Sequence, residues 1–166
     1  NHGIFDIYVH GDNSKMETLA LDGRSYLFGR GRIGVLVQIE TASPDAAKLD
    51  EVRSFAHEVS LQICSMKARF LARTDIAAEV VSHEKEIILG QIKNDPKNAS
   101  KPENVFAKII EGRLDKFYKE FCLLEQVYVK DDTKTIKDLV ADLSKKMGGE
   151  VKISAFRRWE LGEQTA

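Results

Sequence analysis

Two hydrophobic periods alternate along the chain. Ile4 to His10 (Ile-Phe-Asp-Ile-Tyr-Val-His) is rich in β-branched and aromatic residues and predicts a strand. From Ile33 to Glu40, Val35, Val37 and Ile39 alternate with Leu36 and Gln38 and predict a second. Residues 11–24 between them are polar, with Gly11, Asp12, Asn13, Asp22 and Gly23 as turn formers, and predict a loop excursion. Ser43-Pro44-Asp45 then predicts a helix start, with Ser43 as N-cap and Pro44 at the first helical position. The apolar set Leu49, Val52, Phe55, Ala56, Val59 and Ile63 keeps helical spacing with one buried face.

After a short extended link at Phe70-Leu71-Ala72, Thr74-Asp75 predicts the cap of a helix reaching Ile92, very polar beyond Val81. Asp95-Pro96 through Lys101-Pro102 reads as a turn. From Glu103, the positions Val105, Phe106, Ile109, Ile110, Leu114, Phe117, Tyr118 and Phe121 step by three or four, the mark of a wide apolar stripe. Segments 75–94 and 103–122 therefore predict an antiparallel helical hairpin. A short strand (Gln126 to Val129), the acidic turn Lys130-Asp131-Asp132 and a helix from Thr133 to Met147 follow. Gly148-Gly149 ends that helix, and Val151 to Leu161 predicts a closing strand.

Strands at both ends with helices between them imply an α+β fold. Its small antiparallel sheet packs with helices, and the hairpin projects from it in a coiled-coil-like way. In domain terms, residues 1–74 and 123–166 form the core lobe, and 75–122 form the hairpin inserted in it. The outer stripe of the hairpin, including Ile88, Ile92, Phe106, Ile109 and Ile110, is expected to be partly a partner surface.

Composition narrows the function classes. The chain has 166 residues, with 25 Lys plus Arg against 26 Asp plus Glu, a formal charge of −1 that argues against a dedicated nucleic-acid coat. The longest apolar runs are a few residues, far short of the roughly 20 that cross a bilayer, so no membrane partner is expected. Cys64 and Cys122 both fall within apolar helical patterns and read as buried thiols. Residue 1 is Asn, from which a trimmed piece of a longer chain is expected.

The candidate chemistry is sparse. Gly29-Arg30-Gly31-Arg32-Ile33-Gly34 matches G-x-G-x-x-G, but the dinucleotide fingerprint needs a helix after it, and here a strand follows. His57-Glu58 and His83-Glu84 begin like a zinc-protease motif, yet Leu61 and Ile87 stand where its second histidine belongs. No nucleophile elbow or paired-carboxylate pattern appears. Arg157-Arg158-Trp159 pairs two cations with an aromatic neighbour and admits phosphate contact and stacking. The simpler reading puts Phe156 and Trp159 in or beside the core with the arginines at solvent. His10 alone reads as a surface histidine at a strand end.

Several segments together carry a resemblance. They are Tyr8-Val9-His10-Gly11, Arg32-Ile33-Gly34-Val35-Leu36-Val37, Ile76-Ala77-Ala78-Glu79-Val80-Val81 and Lys101-Pro102-Glu103-Asn104. To these add Ile110-Glu111-Gly112-Arg113-Leu114, Leu123-Leu124-Glu125-Gln126, Val129-Lys130-Asp131-Asp132 and Phe156-Arg157-Arg158-Trp159-Glu160-Leu161-Gly162-Glu163. In order and spacing they resemble the core of the elongation factor Ts family, the guanine-nucleotide exchange factors of bacterial and organellar translation. The resemblance covers nearly everything except residues 11–28.

It implies a factor that binds elongation factor Tu, GDP-bound or nucleotide-free, and promotes GDP release. Such a factor works by binding, with no chemical step and no cofactor or metal of its own. His10, with Gly11 and the turn Arg32-Ile33-Gly34 beside it, best resembles a family contact. A homodimer through the hairpin and ribosome association are further partners the resemblance admits. The implied compartment is the bacterial cytoplasm, or a mitochondrial or plastid matrix. A rival reading is a pure assembly or dimerisation module without exchange activity of its own. RNA binding through Arg157 and Arg158 is a third.

Three departures stand out. The family's His-Gly and Arg-Ile-Gly lie almost side by side, whereas residues 12–31 separate them here. Tyr26-Leu27-Phe28-Gly29 is thus a second candidate for the strand end, with Phe28 replacing the histidine. The family's Thr-Asp-Phe-Val wedge is not found, because Ala42 and Ser43 follow Glu40-Thr41. Its N-terminal helical module is also missing. The chain is therefore expected to be the C-terminal, dimerisation-type part of such a factor.

Overall fold

In the computed structural model, which describes residues 2–11, 17–21, 24–28, 31–95 and 103–163, strand alternation separates one buried sheet face from one open face. The chain runs β1 (His2–His10), β2 (Glu17–Leu21), β3 (Arg24–Phe28), β4 (Ile33–Thr41), α1 (Asp50–Met66), α2 (Ala78–Asn94), α3 (Glu103–Phe121), β5 (Val127–Tyr128), β6 (Asp131–Thr135), α4 (Ile136–Met147) and β7 (Val151–Glu160). The main sheet is antiparallel, with β4 central between β1 and β7. Tyr8 and Arg158 stand opposite Val35 from either side, and Val9 and Trp159 stand opposite Gly34.

On the inner face Val35, Val37 and Ile39 are buried with Val151, Ile153 and Phe156. α1 covers this face with Val52, Phe55, Ala56, Val59 and Ile63, and α4 packs on β7. Each fully buried aliphatic side chain here contributes about 1.5–3 kcal/mol relative to exposure. Leu123 and Ile136, from either side of the β5–β6 hairpin, complete the same core. The architecture is α+β, as the pattern predicts.

α2 and α3 pack antiparallel. Ile76 before α2 clusters with Phe117 and Cys122 at the far end of α3, while Ile88 and Ile92 late in α2 cluster with Leu114 and Phe106. Arg73 ties the root of this pair: its guanidinium binds Asp115 at 2.8 Å, forks onto Glu125 and lies 4.4 Å from the Tyr118 ring centroid.

Four expectations are corrected. Residues 11–24, expected to form a loop, contain β2 at Glu17–Leu21, which pairs antiparallel with β3, starting at Arg24. The sequence between these strands, Asp22-Gly23, is a hairpin signal in its own right. Ser43 does not cap α1: its Oγ accepts from the Ala46 amide at 3.2 Å in a single 3₁₀ turn, Leu49 is extended, and α1 starts only at Asp50. Thr74-Asp75 likewise lies in a 3₁₀ turn, Arg73–Asp75, before α2 begins at Ala78. Thr133 sits in β6, and the cap of α4 is Thr135, whose hydroxyl accepts from the Asp138 amide in a capping box. Gly148 ends α4 with φ +64°, as expected of a left-handed cap. The turn expected at Pro96 to Pro102 lies outside the described residues.

Candidate functional site

The β1–β4 pairing brings the sequence-predicted contact residues to one rim of the sheet. His10 is the register partner of Ile33 and Val9 that of Gly34, so the His-Gly and Arg-Ile-Gly segments lie side by side despite the residues between them. The Arg32 amide donates to the His10 carbonyl at 2.9 Å, and the Arg32 carbonyl accepts from the Leu161 amide at 2.8 Å. Arg32 thus joins β1 to the end of β7. A Cβ on Gly11 would overlap Gly31 Cα, and one on Gly31 would overlap the His10 carbonyl. Two glycines are needed where the chains cross, which explains Gly31 without a nucleotide. Gly29 and Arg30 of the same motif lie outside the described residues. Phe28, the rival to His10, ends β3, whose register partner is β2.

His10 is exposed. Its Nδ1 lies 2.9 Å from the Tyr8 hydroxyl. The hydroxyl donates if the ring carries its proton on Nε2 and accepts if the ring carries it on Nδ1. Burial pushes the Tyr8 hydroxyl pKa up, so it stays protonated. The Tyr8 ring meets His57 edge-on at 5.7 Å. His57, Asp6 and Ser60 do not form a nucleophilic relay: His57 Nδ1 and Ser60 Oγ both approach the same Asp6 oxygen, at 3.8 and 2.5 Å, with no histidine between serine and acid. Among the described residues no group of His, Cys, Asp or Glu could hold a metal ion. Cys64 and Cys122 are both buried and unpaired, and burial pushes the Cys122 thiol up to about 11, so it stays protonated and inert.

The hairpin residues divide. Ile88 and Ile92 are buried between α2 and α3 and belong to the interior of the pair, a correction to their expected surface role. Phe106, Ile109 and Ile110 are half-buried around them. The apolar groups that α2 does present outward are Val80 and Ile87. Adjacent isoleucines lie about 100° apart on a helix, so Ile87 and Ile88 cannot both face α3.

One surface escaped the sequence reading. The sheet face away from α1 carries Phe5 (65% exposed), Ile7 (74% exposed), Leu36 and Trp159 (49% exposed). Gly34 leaves space beside the Trp159 ring, where a Cβ would come within 4.0 Å of Cε3. The signal was in β1, where Ile4, Phe5, Ile7, Tyr8 and Val9 put apolar groups on both faces. Nothing among the described residues covers this face. No described helix is long and apolar enough to cross a membrane.

Comparison with known proteins adds the last line of evidence. The profile of the family described as Elongation factor TS matches residues 2–163. The chain is similar to elongation factor Ts of Symbiobacterium thermophilum, 44% identical over 139 residues, covering 84% of this chain and 44% of that protein. Against that of Carboxydothermus hydrogenoformans it is 42% identical over 154 residues, 92% of this chain and 69% of the relative. Against that of Thermotoga maritima it is 42% identical over 139 residues, 84% of this chain and 67% of the relative. The chain thus spans about half to two thirds of the length of these relatives.

Proposed function

We propose, from the premise that this chain belongs to the elongation factor Ts family, that it is the part of a guanine-nucleotide exchange factor that binds elongation factor Tu and promotes GDP release. The observation that carries this reading is the match over residues 2–163, with the family's His-Gly and Arg-Ile-Gly segments adjacent at one rim.

An exchange factor works by linkage. A protein that binds the nucleotide-free partner better than the loaded one weakens nucleotide binding by the same factor. A coupling of about 4 kcal/mol is about a thousandfold in GDP affinity. Such work needs docking surfaces and an intruding group, and no acid, base or nucleophile. The exposed His10 ring, fixed by Tyr8 and carried on a strand end hydrogen-bonded to Arg32, is suited to enter an interface without the desolvation cost of a permanent charge. Where the family has its aromatic wedge, this chain makes a tight polar turn: the Thr41 hydroxyl donates to the Ser43 carbonyl at 2.9 Å and the Ala42 amide donates to the Glu150 carbonyl. With no aromatic group there, exchange by this chain alone is weaker than by a full-length relative. The partner's compartment places the activity in the bacterial cytoplasm or an organellar matrix.

Residues 75–122 act as a helical module set into a core lobe of residues 1–74 and 123–166. Its separate apolar clusters around Ile76, Phe117 and Cys122 and around Ile88, Ile92 and Leu114 support that division. The second reading, an assembly module, is favoured by one observation, the open sheet face of Phe5, Ile7, Leu36 and Trp159. The two readings part on a binding experiment with immobilised nucleotide-free elongation factor Tu. The first requires binding that GDP reverses. Sedimentation as a stable dimer with no such binding favours the second.

A further inference from the structure

β7 is the outer strand of the main sheet, and two clefts adjoin along its far edge. One, of about 550 Å³, is lined by Lys67, Arg69, Arg157 and Arg158, together with Phe121, Phe156 and Glu163. The next, of about 310 Å³, shares Arg69, Phe156 and Arg157 and ends at Asp75. Four cations therefore line one groove, beside the single carboxylate of Glu163, in a chain whose net charge is −1. Arg69 and Arg157 have no carboxylate partner among the described residues. The Arg69 guanidinium rests over the Phe70 and Phe121 rings, 5.7 and 5.5 Å from their centroids, and Arg157 donates to the Phe156 carbonyl at 3.0 Å. Arg158 is different: its side chain is 7% exposed, is held by Glu160 and Glu163, and keeps a buried Nε with no acceptor among the described residues.

We infer that this groove binds an extended acidic peptide segment of a protein partner, laid along the free edge of β7 with its carboxylates on Arg69 and Arg157. Three features favour a peptide over a phosphodiester chain. An outer strand offers main-chain donors and acceptors at the spacing of another strand. The basic stretch is short, closed by Glu163 at one end and Asp75 at the other, whereas a nucleic-acid footprint is a continuous basic stripe. Phe121 and Phe156 line the same cleft as the cations and offer an apolar side chain of the peptide a contact beside its acidic ones, which an extended peptide alternates. The inference does not depend on elongation factor Tu being the partner.

The test is fluorescence anisotropy of the whole chain with a labelled hexapeptide of alternating Glu and Val. A Lys-Val counterpart and a uridine hexanucleotide are run beside it, and the Arg69→Ala/Arg157→Ala double variant is compared. Both side chains are exposed, so circular dichroism should show the variant folded. The expected result is saturable binding of the acidic peptide, no binding of its basic counterpart, and affinity reduced about tenfold or more in the variant. Amide shifts should fall at Ser154 to Arg158. Tighter binding of the hexanucleotide, an unchanged affinity in the variant, or no binding of the acidic peptide would each overturn the inference.

Discussion

Gln62 Nε2 donates to Gln126 Oε1 at 3.2 Å, and both side chains are wholly buried where α1 and α3 end. Gln126 Nε2 in turn donates to the carbonyls of Met66, the last residue of α1, and Glu120, in the last turn of α3. One amide thus satisfies orphan carbonyls of two helices. Gln62 also reaches the β5 region, donating to the Val127 carbonyl and accepting from the Val129 amide. Replacing Gln126 with Leu keeps the size but takes the donor from two carbonyls, of Met66 and Glu120, and the acceptor from one Gln62 N–H. It should cost about 2–4 kcal/mol, read as a lower urea midpoint with an unchanged slope.

The phase of α2 gives a second expectation. Ile92→Ala opens space inside the helix pair and should cost about 2–4 kcal/mol. Ile87→Ala removes a side chain that is 41% exposed and should change stability by less than about 1 kcal/mol. Thermal melts of the two variants check the assignment, and equal losses would contradict it.

Much of this fold was legible because the central strand and the helix stripes carry strong periods. Val35, Val37 and Ile39 read as one buried face, and the 103–121 stripe and the Gly148 stop fell where expected. The helix starts did not. Ser43 and Asp75 have the chemistry of caps but serve 3₁₀ turns, because a capping side chain is satisfied by one turn and cannot tell whether the helix continues. The candidate rim was legible as two motifs, but their adjacency was not, since residues 12–31 separate them and only the β1–β4 register brings His10 to Ile33. The face bearing Phe5 and Ile7 was missed because the strand was read for its type and not for its second apolar side.

Acid should weaken the fold in a definite window. Burial pushes the Glu58 carboxyl up, but hydrogen bonds from Lys130 and the Tyr128 hydroxyl, each at 2.7 Å, outweigh it and hold the pKa low. Lys119 and Arg73 hold Asp115 low, and Thr135 does so for Asp138. A carboxyl depressed in the folded state binds fewer protons there than in the unfolded chain as pH falls. Its contribution is therefore complete above the unfolded value of about 4 and is lost as pH drops through the folded values. The melting temperature should be flat from about pH 7 to about pH 5 and fall below that, less steeply in Glu58→Gln. A melting temperature that rises on acidification would contradict this.

His10 and Phe28 separate the two alignments of the strand end. His10→Ala should leave the melting temperature nearly unchanged, because the ring is exposed and, among the described residues, its side-chain partner is Tyr8. It should weaken the complex with elongation factor Tu by about 1–2 kcal/mol, as interface anchors do. Phe28→Ala should leave affinity intact. Calorimetric titration of both variants decides, and loss of affinity in Phe28→Ala alone would make β2 and β3 the true counterpart of the family strand.

In the proposed function, this chain lowers the hold of elongation factor Tu on GDP by binding it. This is tested most directly by the release rate of a fluorescent GDP from elongation factor Tu, measured by stopped flow against increasing chain concentration. The expected rate rises and saturates, at a plateau below that of a full-length elongation factor Ts, with a weaker concentration dependence for His10→Ala. A release rate that stays at its spontaneous value at every concentration would contradict it.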